Sequence, residues 1–76
     1  VTLRLGMMAR NLLLEEYPLA ERDIVEDGDE RWILDTQVCN YRGVGRFVLG
    51  LMDDIEVVGS DDFKRYLRTK IAEYAI

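Results

Sequence analysis

The chain has 76 residues, of which 49% are apolar and 33% are charged, and its formal net charge is −5. A folded chain of this length buries only about 60–65% of the surface that its unfolded form exposes, so it can build one small core. These values exclude a large enzyme with separate substrate and cofactor domains, and they indicate a globular chain. We therefore expect residues 1–76 to form a single domain. The longest apolar run, residues 47–52, is too short to span a bilayer, and we expect no membrane partner.

The first half of the chain predicts a strand, a helix and a hairpin. Val1, Leu3 and Leu5 alternate with polar residues, as in a half-buried strand. A helix is predicted over residues 7–16, with Met8, Ala9, Leu12 and Leu13 sharing one apolar face, and Pro18 ends it. The Asp-Gly pair at 27–28 is a tight-turn signal, and it predicts a hairpin with arms over residues 22–26 and 31–38. In the second arm, the side that carries Trp32 is expected to face the core.

The second half predicts a helix, a strand and a further helix. Apolar residues repeat at helical spacing between 44 and 51, and Asn40 is placed to cap that helix. Residues 55–58 read as a strand. Ser60 is placed to cap a last helix whose apolar stripe is Phe63, Leu67 and Ile71.

This order predicts an α+β fold, namely a ferredoxin-like β-α-β-β-α-β sandwich with a four-stranded antiparallel sheet and an extra C-terminal helix. We expect the first and last strands in the middle of the sheet and the first two helices on one face. The other face would be covered by the last helix or by a partner chain. Its exposed positions would be Thr2, Arg4, Ile33, Asp35, Gln37, Glu56 and Val58.

The charge pattern disfavours nucleic acid as a direct partner but leaves a local basic patch possible. A net acidic domain repels DNA phosphates, and the outward positions of the strands expected at the centre carry no aromatic side chain on which RNA bases could stack. Arg4, Arg42 and Arg46 are the candidate contacts for a negatively charged effector or an acidic patch on a partner, with Arg10 beside them. The alternative is that these arginines are unrelated solvated side chains.

Residues 43–45, Gly-Val-Gly, offer a second candidate for anion binding. They lie between a predicted strand and a predicted helix, where a phosphate-cradling turn would sit. The dinucleotide-binding pattern Gly-x-Gly-x-x-Gly, begun at Gly43, requires its third glycine at residue 48 of this chain, where Val48 stands. The alternative is a flexible loop that enters the helix.

The sequence predicts no catalytic residue, no metal site and no cofactor, so we expect the chain not to be an enzyme. It contains no His, which is the commonest general base and zinc ligand. Its acidic pairs lack the alternating ligands of a calcium loop. Cys39 is the only cysteine, so it cannot form an internal disulfide, and we expect a cytoplasmic protein.

Several segments resemble the C-terminal extension domain of WYL-domain bacterial transcriptional regulators. Residues 1–5 are similar to the family's first strand, and residues 17–18 to the aromatic-Pro step after its first helix. Residues 26–38 resemble its hairpin, residues 45–51 and 55–58 its most distinctive motif, and residues 62–67 its closing helix. The departures are Phe47 where Trp is usual, Met52 where Gly is common, and Gly-Ser at 59–60 in place of Glu-Pro.

The resemblance implies that the chain is a fragment of a longer regulator. Such a parent has an N-terminal winged helix-turn-helix that binds DNA, then a WYL domain, then this module. The module would be a non-catalytic regulatory and oligomerisation domain that contacts the WYL domain of its own or the partner subunit, within a homodimer. Spare apolar positions are the candidate protein contacts: Leu14, Ile33 and Val58.

Two alternatives remain open at this point. The first is a small-molecule-binding regulatory domain of ferredoxin-like fold attached to a metabolic enzyme, with a cleft near Gly6 or Gly43. An upstream metabolic enzyme in the parent gene would favour it, and an upstream helix-turn-helix would favour the regulator. The second alternative is weak nucleic-acid binding by the isolated domain, with an affinity that falls steeply with salt and depends on Arg4 and Arg46.

Overall fold

The computed structural model describes residues 1–74 and confirms an α+β fold with a four-stranded antiparallel sheet. No helix within these residues has both the length and the apolar character needed to cross a bilayer. Four strands and three α-helices follow one another, with two short 3₁₀ helices between them. In chain order the elements are β1 (Thr2–Leu5), α1 (Met7–Glu16), a 3₁₀ helix (Pro18–Asp23), β2 (Ile24–Glu26), β3 (Trp32–Asp35), α2 (Arg42–Gly50), a 3₁₀ helix (Met52–Asp54), β4 (Ile55–Val57) and α3 (Asp61–Tyr74).

The strand order in the sheet is β2-β3-β1-β4. Leu3 of β1 lies opposite Leu34 of β3 on one side and opposite Val57 of β4 on the other. The expectation that the first and last strands are both central is therefore wrong, because β4 is an edge strand and β3 takes the second central place. The reason is that α2 joins two parallel strands, β3 and β4, and β1 fills the space between them.

One face of the sheet carries the core, and all three helices contribute to it. The odd-numbered residues of β1 point into this core, so the even-numbered ones point to the opposite, open face. α3 lies on the helical side, which means that it does not cover the open face. The buried apolar side chains are Leu3, Leu5, Ala9, Leu13, Leu34, Val48, Phe63 and Leu67.

α3 is held against α2 by aromatic packing and by one close backbone approach. The ring of Phe63 is fully buried and lies 5.1 Å from the ring of Tyr41, centroid to centroid. Gly45 faces the ring of Tyr66, and a Cβ atom on Gly45 would stand 2.8 Å from the nearest carbon of that ring. A larger residue at position 45 would therefore displace the Tyr66 ring from this contact.

Both arms of the predicted hairpin are shorter in the structure. The first arm begins only at Ile24, because Pro18 opens a 3₁₀ helix instead of leading directly into a strand. Proline suits this first helical position, since its fixed φ matches the turn and its missing N–H would lack a partner there. The second arm ends at Asp35, although the Thr36 N–H still donates to the carbonyl oxygen of Val1 at 3.0 Å.

The two predicted helix caps have different outcomes. The N-cap residue of α2 is Tyr41 and not Asn40, but the Asn40 side-chain oxygen still accepts a hydrogen bond from the N–H of Arg42 at 3.0 Å, at the start of the helix. Ser60 has a φ of 54°, outside the extended conformation of an N-cap residue. Its hydroxyl oxygen instead accepts a hydrogen bond from the N–H of Thr2 at 3.4 Å.

The predicted apolar stripe of α3 is covered only in part. Phe63 and Leu67 are buried, but Ile71, at the far end of the helix, is 43% exposed.

The start of α1 depends on a side chain from the other half of the sequence. Gly6 precedes α1 and has no side chain with which to cap it. The Asp54 carboxylate takes this role, since its Oδ2 accepts a hydrogen bond from the N–H of Ala9 at 2.7 Å. The carbonyl oxygen of Asp54 also accepts a hydrogen bond from the N–H of Gly6 at 2.8 Å. A Cβ atom on Gly6 would overlap the Asp54 carboxylate, so only glycine allows this contact.

We predict that Gly6→Ala and Asp54→Ala both destabilise the domain but are not additive. Loss of a helix cap costs about 1–2 kcal/mol of unfolding free energy. Gly6→Ala should cost at least about as much, because the new methyl group displaces the carboxylate and removes the same cap. In the double variant the methyl group has space, so the combined cost should fall at least about 1 kcal/mol short of the sum.

Urea unfolding of the four proteins, followed by far-ultraviolet circular dichroism, measures these differences. Additive costs would show that the two residues act independently and would contradict the assigned contact.

Candidate interaction surface

The structure separates the arginines that the sequence proposes as one patch. Arg4 points to the open face of the sheet, whereas Arg42 and Arg46 lie on α2 in the helical layer. Arg10 is also on the helical side, where its guanidinium carbon lies 5.0 Å from the ring centroid of Trp32. These side chains therefore do not form one anion-binding surface.

Arg4 is already engaged by two carboxylates. Its Nε donates to Oδ2 of Asp27 at 3.1 Å, and its Nη1 donates to Oε1 of Glu56 at 2.8 Å. The hydrogen bond to Asp27, followed by that to Glu56, raises the pKa of the Arg4 guanidinium above its usual value. Arg4 thus stays cationic throughout the working pH range with its charge locally balanced, which leaves it poorly suited to bind a further anion.

Arg42 and Arg46 are exposed and lie four residues apart on α2. Within residues 1–74 neither forms a salt bridge. The glycines at 43 and 45 belong to the helix and not to a loop, and the N–H of Gly45 donates to the carbonyl oxygen of Tyr41 at 2.7 Å. The segment is therefore an ordinary first helical turn with two free cations beside it.

The predicted protein contacts are half-buried and divided between two surfaces. Leu14 lies on α1, while Ile33 and Val58 belong to the open sheet face. On that face polar and charged side chains separate them, and the Thr2 hydroxyl donates to the Asp35 carboxylate at 3.3 Å. The open face is thus a mixed surface and not a continuous apolar one.

The most apolar exposed surface lies on the helical side, along a furrow between α1 and α2. We call it the helical furrow, and it consists of three adjoining concavities. Of the nine exposed large apolar side chains within residues 1–74, five line this furrow. They are Met8, Tyr17, Leu19, Val38 and Met52. Clustered exposed apolar side chains of this kind make the furrow a candidate binding surface.

The first concavity lies at the end of the furrow, beyond the C-terminal end of α1. It has a volume of about 380 Å³, and its walls are the first 3₁₀ helix, residues 36–40 and the start of α2. Its lining is mostly apolar. The Thr36 hydroxyl and the Asp23 carboxylate at its edge are joined by a hydrogen bond of 3.2 Å. Cys39, an exposed free thiol, also lies at this edge.

The other two concavities continue along the helices. The middle one, of about 400 Å³, shares Tyr17, Gly43 and Phe47 with the first. The third, of about 440 Å³, shares Gly50 and Leu51 with the middle one and ends at the two methionines, Met8 and Met52. The C-terminal end of α1 borders the start of α2, so these two helices are antiparallel along the furrow.

Sequence reasoning assigned part of this furrow to the core. Met8 and Leu12 share the helical spacing of Ala9 and Leu13, yet Met8 is 61% exposed while Ala9 is fully buried. The available signal was the number of apolar residues in α1, since positions 7, 8, 12, 13 and 14 exceed what one buried stripe holds.

Within residues 1–74, no three His, Cys, Asp or Glu side chains form a group that could hold a metal ion.

We predict that Leu19→Ser leaves folding intact and removes surface apolarity. Leu19 is 73% exposed, so the unfolding free energy should change by less than about 0.5 kcal/mol. The fluorescence of a dye that binds apolar surfaces should fall. The matched control is Leu13→Ala, which alters the floor of the same concavity at a side chain only 6% exposed and should cost about 2–5 kcal/mol. A large loss of stability in Leu19→Ser would show that Leu19 belongs to the core.

Comparison with other proteins adds no relative from which a role could be carried over. The chain matches no protein-family model, no curated protein and no solved structure.

Proposed function

We propose that this chain is a non-catalytic regulatory and oligomerisation module of a bacterial, cytoplasmic, DNA-binding transcriptional regulator. It would modulate DNA binding through dimer contacts and through effector sensing together with a WYL domain. The observation that carries the proposal is the helical furrow, because a small domain that exposes five large apolar side chains along one furrow is suited to protein contact. The net charge of −5 disfavours direct contact between this chain and DNA, so the proposal has a separate helix-turn-helix domain bind the DNA.

The finer fold proposal is a ferredoxin-like sandwich with an added C-terminal helix. It is supported by the element order and by the position of β1 between the two strands that α2 joins. The added helix, α3, completes the core on the helical side through Phe63 and Leu67.

The WYL resemblance is supported by the place that its motif occupies. Residues 45–51, the most distinctive part, form most of α2 and so build one wall of the helical furrow. Gly45 of this motif contacts Tyr66, which belongs to the segment similar to the family's closing helix. Phe47, which replaces the usual Trp, is half-buried in the floor of the furrow. The most distinctive part of the resemblance, residues 45–51, thus lies at the proposed contact surface.

Arg42 and Arg46 are the proposed contacts for an acidic partner surface or a negatively charged effector. Both are exposed beside the furrow. Arg4, the third candidate, is the weakest of the three because Asp27 and Glu56 already bind its guanidinium.

The first concavity favours a second candidate, a small-molecule-binding regulatory domain attached to a metabolic enzyme. Its volume of about 380 Å³ and its apolar lining are those of a small-ligand pocket, and Gly43 borders it. This candidate predicts that free amino acids or similar metabolites raise the unfolding temperature of the chain. The regulator proposal predicts no stabilisation by metabolites without a net negative charge, because its candidate effector contacts are Arg42 and Arg46.

The regulator proposal is tested on the parent protein with its own promoter DNA. Removing residues 1–76 should change the DNA affinity, measured by fluorescence anisotropy, by about tenfold, the usual size of a coupling between two sites. The double charge reversal Arg42→Glu with Arg46→Glu should produce an effect in the same direction without removing the domain. The isolated chain should not bind the same duplex at about 150 mM salt.

Unchanged DNA affinity in both altered regulators, or a parent reading frame that encodes a metabolic enzyme, would contradict the proposal.

A further inference from the structure

We propose that the helical furrow binds a second copy of this chain, with Glu16 of each copy facing Arg46 of the other. The inference rests on the proposed function, since it assigns the surface through which an oligomerisation module would associate. It also places that surface in the helical layer, whereas two of the three contacts predicted from the sequence, Ile33 and Val58, belong to the sheet face.

The two broad faces of the domain differ in what they offer a partner. On the open sheet face, Arg4 is bound to Asp27 and Glu56, and Thr2 is bound to Asp35, so the polar groups are satisfied within the chain. That face does carry one exposed large apolar side chain, Val25, opposite Ile33. The helical furrow exposes five, which are Met8, Tyr17, Leu19, Val38 and Met52. Burial of apolar surface drives most protein association, and the furrow has the larger amount to bury.

The walls of the furrow carry opposite charges that do not pair within one chain. Glu16 and Arg46 both line the middle concavity, one from the last turn of α1 and the other from α2. No salt bridge joins them, although both are exposed. Outside this concavity the charges are mixed, since α1 also carries Arg10 and Glu15, and Asp53 and Asp54 line the third concavity after α2. The middle concavity therefore has an acidic wall, an apolar floor and a basic wall.

This arrangement is complementary to itself under two-fold symmetry. If the axis runs along the furrow between α1 and α2, each helix of one copy lies over the other helix of the second copy. The acidic wall then meets the basic wall twice, and the apolar floors face each other, which is the pattern of an isologous dimer. A uniformly acidic or uniformly basic partner would be attracted to one wall and repelled by the other.

The surface of α2 leaves room for a partner helix to approach closely. Within residues 1–74, a Cβ atom added to Gly43 or to Gly50 would meet no atom within 4 Å. Both glycines line the furrow, whereas Gly45 faces α3. Alanine at position 50 is compatible with folding of the monomer, because it fills only open space at a helical backbone conformation.

The experiment is analytical ultracentrifugation of the 76-residue chain over a concentration series. We expect a reversible dimer. Glu16→Arg and Arg46→Glu should each weaken it by about tenfold or more, since each places like charges opposite one another twice in the symmetric dimer. The double variant should regain most of the wild-type affinity, because the exchanged charges again face their opposites. Arg68→Glu, the same charge change on exposed α3, is the matched control and should leave the dimer unchanged.

Gly50→Ala separates association from folding. Its unfolding midpoint should equal or exceed that of the wild type, measured where the chain is monomeric, while its dimer affinity falls. A chain that stays monomeric at all concentrations overturns the inference. So does a dimer that Glu16→Arg and Arg46→Glu do not weaken, or one that the double variant does not restore.

Failure of the second-copy inference can be distinguished from failure of the proposed function. A monomeric chain whose removal still changes promoter affinity in the parent overturns the second copy as the occupant and leaves the regulatory proposal standing. A dimer with the expected charge dependence, in a parent whose DNA binding ignores residues 1–76, overturns the regulatory proposal alone.

Discussion

The contact between Asp54 and the start of α1 determines how the two halves of this domain fit together. α1 begins at a glycine that cannot cap it, and the missing acceptor comes from a residue 45 positions beyond Ala9. The same residue anchors Gly6 through its backbone, at the point where β4 begins beside β1. A ten-residue helix is marginal on its own, so α1 depends on the completed β1–β4 pair. The helical layer and the sheet are consequently formed together.

Local signals in the sequence were enough to predict most elements but not their arrangement. The bounds of α1 are those predicted, because an apolar pattern and a proline define them within a few residues. The position of β4 could not be read in the same way, since it depends on which strand fills the space beneath the α2 crossover. The 3₁₀ helix after Tyr17 was also missed, because proline that ends one helix can begin another.

The candidate surface was predictable only in part for a related reason. Helical spacing identifies which residues share a face, but not how much of that face the other elements cover. Met8 and Ala9 are neighbours in the same predicted stripe, and the sheet covers only the second. The charges were likewise visible in the sequence, whereas their distribution between two opposite faces follows from the strand alternation of β1 and the position of α2. Arg4 is the clearest case, since its two carboxylate partners come from separate strands and turns.

The shortness of the two edge strands limits how further strands can add to this sheet. β2 and β4 contain three residues each, and both ends of the sheet therefore offer only a short row of unpaired backbone groups. Longer, flatter edges can recruit further strands without end, which leads to fibres and aggregates. Here the backbone provides little template for such growth, and the exposed apolar surface lies on the helices instead. A domain built this way offers a partner the side chains of its helices more readily than the backbone of its sheet.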